Sequence, residues 1–335
     1  MRPALLSRLL GRTIAQGELR LPAVPAMLDD YLTLCERTFG ALYIQFTQEQ
    51  SSQLREVLKS QLEIAFAASP RSQIVINYEA PGSMTVNYHV KPLWSTIGSV
   101  YDSWVTNRQP PFFGTEPDAR VLALAKSLTD PSTSAVLDIG AGTGRNSLAL
   151  ARLGHPIDAV ELSGEFSAIL RAEAAKQSLP IRVLERDLFA STAGLRRDYR
   201  LILLSEVVSD FRNTTQLRRV FELAADFLAP GGELVFNVFL PVGGYEPDAA
   251  VRELGQQVFT SIFTRAEVET AAADLPLQLV SDDPVYDYEK AHLPEDAWPP
   301  TSWYEDWVCG QDLFDVPREA SPIALKWLVY RKQVI

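Results

Sequence analysis

Residues 136–144 read Val136-Leu137-Asp138-Ile139-Gly140-Ala141-Gly142-Thr143-Gly144. Val136 and Leu137 close an apolar run that reads as a buried strand, and three glycines follow at alternate positions. Arg145 to Leu153 then reads as a short helix, with Gly154 where a left-handed glycine commonly closes one. A strand that turns through glycines into a helix brings bare backbone and a helix N-terminus against a ligand. Gly140, Gly142 and Gly144 lack a Cβ, so a flat or bulky group can lie on the main chain there. The turn reads as the seat of a nucleotide-like ligand.

Spacing narrows the ligand. A dinucleotide fingerprint runs G-x-G-x-x-G, with its third glycine inside the helix. Here the run is Asp138-x-Gly140-x-Gly142-x-Gly144, and Arg145, Asn146 and Ser147 occupy the next turn. A second strand, Ile157 to Val160, ends at Glu161, 23 residues after Asp138. An acid at a second strand end can accept both hydroxyls of a ribose. The acid at Asp138 would repel a pyrophosphate and attract a ligand with a cationic amino-acid end.

These residues resemble motif I of the class I S-adenosylmethionine-dependent methyltransferases. In that likeness Asp138, Gly140, Ala141, Gly142 and Gly144 line the cofactor, and Glu161-Leu162 is the acidic strand end that holds the ribose. Arg186-Asp187-Leu188, after a third strand at Ile181 to Leu184, resembles the position that contacts the adenine amino group. Leu201 to Ser205, followed by Glu206, resembles the fourth strand and its end beside the methyl group. Pro230-Gly231-Gly232 before Glu233 to Phe239 resembles the turn into strand five. The likeness covers roughly residues 95 to 332 and keeps its elements in order. It implies S-adenosyl-L-methionine as cofactor and a Rossmann-like α/β fold. Five parallel strands of a twisted seven-stranded sheet come first, and the last strand, Ala324 to Arg331, inserts antiparallel beside strand five, returning with Leu277 to Tyr288.

Composition agrees with an enzyme of this kind. The 335 residues suffice for one large domain plus a smaller module, and a hydrophobic content of 47% allows a full core. No apolar stretch approaches the roughly 18 residues of a membrane span, so no membrane partner is expected. With 31 basic and 42 acidic residues the net charge is −11, which makes nucleic acid a poor partner. Cys35 and Cys309 stand alone, and His89, His155 and His292 are the only histidines. That argues against a disulfide framework or a metal site and fits a reducing cytoplasm.

Outside the cofactor segment, residues 1–92 read as a module of helices plus a β-hairpin, and residues 93–335 as the methyltransferase domain. Arg2, Arg8, Arg12 and Arg20 interleave with Leu5, Leu6, Leu9 and Leu10, which favours a short amphipathic helix over a targeting peptide. Leu28, Tyr31, Leu32, Cys35 and Phe39 form one helical stripe, and Leu54, Val57, Leu58, Leu62 and Phe66 a second beginning near Thr47 or Ser51. Gln73 to Asn77 and Met84 to His89 flank Ala80-Pro81-Gly82 as a hairpin. The module serves as a cap, a dimerisation surface or a substrate lid. In the linker beyond Pro92, Tyr101 and Phe113 either face the sulfonium or merely pack between modules. Two insertions depart from the minimal fold, at 241–263 with a helix from about Pro247 to Phe259, and at 289–323 with Trp298, Trp303, Tyr304 and Trp307. The second folds over the sheet end near the methyl position or forms an oligomer contact. Thr264 to Glu267 reads as a capping box.

Methyl transfer is an in-line displacement, so alignment supplies most of the effect and no catalytic motif is obligatory. No Asn-Pro-Pro-Tyr follows strand four; Ser205-Glu206-Val207-Val208-Ser209-Asp210-Phe211 stands there. For a hydroxyl or amine acceptor a base must take a proton, and Glu206, Asp210 and His292 are the candidates. The leading expectation is a small-molecule methyltransferase, loosely like the tellurite-resistance and thiol methyltransferase branch. The alternatives are a methyltransferase of protein side chains and a non-catalytic cofactor-fold assembly protein.

Overall fold

Residues 14–22 form a strand, not the amphipathic helix expected of residues 1–20. A computed structural model describes residues 14–82 and 85–334, with Leu5, Leu9 and Arg12, so most of the proposed helix and Met84 of the hairpin lie outside the described residues. Strand β1 (Ile14–Pro22) alternates exposed and half-buried positions, the period of a one-sided sheet. It pairs antiparallel with β2 (Gln73–Pro81) from Ile14↔Pro81 to Pro22↔Gln73. The expected two-stranded hairpin is thus three-stranded, because β2 also pairs with β3 (Asn87–Leu93). Between them run α1 (Leu28–Ala41) and α2 (Gln48–Ala68). Thr47 caps α2 through a reciprocal box with Gln50. Tyr31, Cys35 and Phe39 of α1 and Leu54, Leu58 and Leu62 of α2 close over Ile74, Ile76 and Val90. Val57, expected on that inner face, is 39% exposed, because the stripe follows the i, i+4, i+8 row through Leu54.

The second compact unit starts at Tyr101, inside α3 (Ile97–Asn107), rather than at residue 93. It continues through α4 (Ala119–Ser127), β4 (Val136–Ile139), α5 (Arg145–Arg152), β5 (Ile157–Glu161), α6 (Gly164–Lys176) and β6 (Ile181–Glu185). Then come β7 (Tyr199–Leu204), α7 (Thr214–Phe227) and β8 (Leu228–Pro241). Helix α8 (Ala249–Gln257), within the first insertion, belongs to the first unit, where Ala26 N donates to Glu253 Oε2 at 2.8 Å. The chain returns as α9 (Arg265–Ala272), capped by the Thr264–Glu267 box, and β9 (Leu277–Pro284). Residues 285–288, expected to extend that strand, open α10 (Val285–His292) instead. Helix α11 (Tyr304–Val308) and β10 (Ile323–Lys332) complete the unit.

Its sheet runs β6-β5-β4-β7-β8-β10-β9. The first five strands are parallel, and β10 lies antiparallel between β8 and β9. This is the seven-stranded sheet implied by the glycine motif. Strand β4, most of β7 and the second half of β8 are apolar because both faces are covered, and Leu137, Ile202, Leu204, Phe236 and Leu328 share one core with Phe221 of α7. Strand order reverses at β4, whose neighbours are β5 and β7, so the loops after β4 and β7 diverge and leave a crevice at the strand ends.

Candidate active site

Three left-handed glycines shape the turn out of β4. Gly140 has φ +71°, Gly142 φ +56° and Gly144 φ +98°. A side chain at Gly140 would also meet Val207 Cγ2 at 2.3 Å, and one at Gly144 would meet Leu170 Cδ1 at 2.3 Å. The positive φ favours glycine at both positions, and a side chain there would also have to push a methyl group of Val207 or Leu170 aside. Gly140 N and Ala141 N donate to Val160 O at 2.8 and 3.2 Å, which ties the turn to β5.

Glu161 at the end of β5 is 5% exposed, and its carboxylate accepts from Gly142 N and Ser163 N, both at 2.7 Å. Burial raises its pKa against the opposing pull of those backbone donors. An ionised carboxylate has about four lone-pair sites, so two hydroxyls can still be accepted. Asp138 is 2% exposed and accepts from Ser147 Oγ at 2.6 Å. Burial pushes it up to about 7, opposed by that hydroxyl. It joins β4 to α5, a role that the motif alone does not reveal.

The linker lies directly on the turn. Phe113 Cε2 stands 3.2 Å from where a Gly142 side chain would begin. Phe113 and Tyr101 both contact the Phe166 ring, at centroid distances of 5.5 and 5.9 Å. Asp102 accepts from Ser163 Oγ at 2.6 Å, and Tyr101 donates its hydroxyl to Asp210 Oδ2 at 2.6 Å. Phe113 thus lies against the glycine turn, Tyr101 packs on the same phenylalanine, and Asp210 is engaged by Tyr101.

At the end of β7 the backbone is unusual. Glu206 has φ +60°, a conformation uncommon for a residue with a side chain and often found at functional turns. Its N–H donates to Asn237 Oδ1 of β8 at 2.8 Å. Its Oε1 accepts from Arg145 Nη2 at 2.7 Å, and the Glu206 side chain is 9% exposed. Burial pushes this carboxyl up to about 7, with Arg145 opposing and Asp118 assisting. Arg145 also pairs with Asp118 Oδ1 at 3.0 Å and donates to Ser205 Oγ at 3.3 Å. Asn146 Nδ2 donates to Asp118 Oδ2 at 2.8 Å. Beside them, Glu289 of α10 is 1% exposed and accepts from Ala119 N at 2.7 Å and Trp327 Nε1 at 2.8 Å. Tyr304 opens α11 at 1% exposure. Its hydroxyl is held well above its ordinary pKa by burial, then by Asp118, Glu206 and Glu289.

The remaining residues read from the sequence are spread out. Leu162 is 46% exposed, Leu188 is in the core, and Asp187 accepts from Phe189 N at 2.8 Å in the turn after β6. His292 is exposed at the end of α10, stacked on Tyr288, and is not brought to Glu206. Sequence reading missed Asp118, Asn237 and Glu289, and named Tyr304 only among the aromatics of the 289–323 insertion. No motif marks them; they come from β8, the start of α4, α10 and α11. Among the described residues no group of three His, Cys, Asp or Glu is arranged to hold a metal, and no helix is long and apolar enough to cross a membrane.

Residues 136–232 match a family described as a methyltransferase domain. No curated protein matches the chain in sequence. Among solved structures, the chain is similar to the geranyl diphosphate C-methyltransferase of Streptomyces coelicolor A3(2), with TM-score 0.51 and 16% identity over 71% of this chain and 97% of that one. It is similar to a protein from Galdieria sulphuraria described as a sarcosine dimethylglycine methyltransferase, with TM-score 0.50 and 16% identity over 70% and 98% of the two chains. It is also similar to the cyclase SpnF, with TM-score 0.50 and 15% identity over 71% and 96%. At these identities the likeness is one of fold.

Proposed function

We propose, from the chain's membership of the class I S-adenosylmethionine-dependent methyltransferase family, that it transfers a methyl group to a small molecule. The observation that carries the small-molecule reading is enclosure. At the end of β7 the Arg145 and Glu206 side chains are 7% and 9% exposed, and Tyr304, whose hydroxyl feels both charges, is 1% exposed. A protein side chain presented on a surface needs an open groove there; a small molecule can be surrounded.

The chain's own residues suit the cofactor. The bare backbone of Gly140 to Gly144 gives close approach, Glu161 retains acceptor capacity for ribose hydroxyls, and Phe113 and Tyr101 offer aromatic faces. When bound, S-adenosylmethionine supplies an electrophilic methyl group. The remaining work is orientation and proton removal. Glu206 is the group we assign to the second task, because it is buried, fixed at both backbone and carboxylate, and titrates near neutrality. Asp210 is held by Tyr101, and His292 is exposed.

Two measurements test the reading. Calorimetry with S-adenosylhomocysteine should give saturable one-site binding. Incubation with methyl-labelled cofactor and a cell extract should label the small-molecule fraction. Label confined to the protein fraction would transfer the assignment to protein methylation, and no binding at all would remove it.

A further inference from the structure

Charge at the end of β7 is out of balance in a way that specifies an acceptor. Asp118, Glu206 and Glu289 are three buried carboxylates, and among the described residues Arg145 is the one buried cation paired with any of them. When all four are ionised, two negative charges are in excess. Glu289 uses both oxygens on N–H groups of α4 and Trp327, and Asp118 is held by Arg145 and Asn146. Glu206 differs. Its Oε1 meets Arg145, while its Oε2 has no hydrogen-bond partner among the described residues.

Two further polar residues belong to the same cluster. Asn237 is 1% exposed; its Oδ1 takes the Glu206 N–H, which fixes the amide orientation and leaves the buried Nδ2 with no acceptor. Tyr304 is 1% exposed, and its hydroxyl makes no hydrogen bond to any described residue. Its ring meets Trp298 edge-on at 5.8 Å between centroids, and Trp307 at 5.9 Å. Buried donors are ordinarily satisfied, so the unpartnered Asn237 amide, whose oxygen already holds the Glu206 N–H, points to a ligand that completes it. Aromatic faces beside excess negative charge suit a cation.

We propose that the methyl acceptor is a small amine, entering as an ammonium ion and carrying an oxygen that accepts from Asn237 Nδ2. The inference rests on the methyltransferase reading and names its substrate class. An ammonium ion offsets part of that negative excess, whereas an anionic acceptor would be repelled by it. The step balances. The ammonium gives one N–H proton to Glu206 Oε2; the freed lone pair forms the N–C bond while the methyl carbon–sulfur pair stays on sulfur. The product is a methylated ammonium ion plus a neutral thioether, with the proton on Glu206.

The test separates this inference from the reading beneath it. An extract incubated with methyl-labelled cofactor is fractionated at neutral pH on cation and anion exchangers, with and without prior acetylation of amines. We expect the acceptor on the cation exchanger and at least a tenfold loss of labelling after acetylation. A labelled neutral or anionic acceptor, or labelling unaffected by acetylation, overturns the amine while leaving the methyltransferase; the absence of any labelled small molecule overturns it too. A second readout uses binding alone. Ethanolamine hydrochloride should raise the melting temperature of the full chain saturated with S-adenosylhomocysteine more than ethylene glycol, 2-mercaptoethanol or sodium acetate does. Glu206→Gln should abolish the difference while keeping S-adenosylhomocysteine affinity within about twofold. Equal effects of all four compounds, or an undiminished difference in Glu206→Gln, would count against it. Loss of S-adenosylhomocysteine binding by the unaltered protein would instead remove the family-level reading.

Discussion

Glu206 and Glu161 divide the labour of the crevice between two buried carboxylates, and their surroundings keep the roles distinct. Glu161 faces backbone donors on both oxygens, whereas Glu206 has one oxygen on Arg145 and a strained backbone fixed by Asn237. We expect Glu206→Gln to lower kcat about 10²- to 10⁴-fold, the usual weight of a general base, with cofactor affinity nearly unchanged. Glu161→Ala should do the reverse, removing S-adenosylhomocysteine binding in calorimetry while circular dichroism stays native. Gly142→Val should also abolish binding, since its φ of +56° and the Phe113 ring at 3.2 Å both exclude a branched side chain. The glycines and Glu161 were legible in sequence because few residues other than glycine tolerate that turn, and because a strand-end acid lies at a fixed remove from it. Asn237 and Tyr304 were not legible. Asn237 sits mid-strand in an apolar run, and only the pairing of β8 with β7 brings it to Glu206; Tyr304 stands among other aromatics in a helix outside the sheet.

Helix ends show why some elements were misread. Val285-Tyr286-Asp287-Tyr288 alternates like a strand, yet Pro284 stands at the helix N-cap position and α10 buries Val285 and Glu289 four residues apart. The burial of Glu289 has its own reason, since it closes the N-terminus of α4 by accepting from Ala119 N and Arg120 N. Glu289→Ala would orphan those donors and the Trp327 indole N–H, at a cost of about 3 kcal/mol by urea unfolding. Thr264→Ala, which opens the box at the start of α9, should cost about 1 kcal/mol. Strand β1 was hidden by another coincidence. Of the arginines and leucines read as a helix over residues 1–20 only Arg20 lies in β1, and pairing with β2 selects the two-residue alternation of Ile14–Pro22.

Across the molecule, Asp138, Glu206 and Glu289 are all pushed up to about 7, each chiefly by burial. A carboxyl raised in the folded state binds its proton more tightly there than in the unfolded chain. Its contribution therefore favours folding at low pH and is lost as pH climbs from the ordinary carboxylate range through about 7. At full titration the change is about 4 kcal/mol for Asp138 and about 3 kcal/mol each for Glu206 and Glu289. We expect the ligand-free protein to melt lower at pH 8 than at pH 6, and Asp138→Asn to shrink the difference; an Asp138→Asn variant with the same slope would contradict this origin. The overall architecture was legible because ordered strand-end motifs define it. The transfer of α8 to the first unit was not, since nothing in an amphipathic helix names the surface it meets. The position of β10 has a consequence for synthesis. Strand β8 pairs with it along its whole apolar length, from Pro241 to Glu233, yet β10 leaves the ribosome about 80 residues later. At bacterial and eukaryotic elongation rates that gap lasts about 4 to 16 s. Throughout it a nascent chain shows an unpaired, hydrophobic sheet edge, the form most prone to capture by other strands. The yield of folded protein should therefore depend on chaperones that shield β8 until its partner emerges.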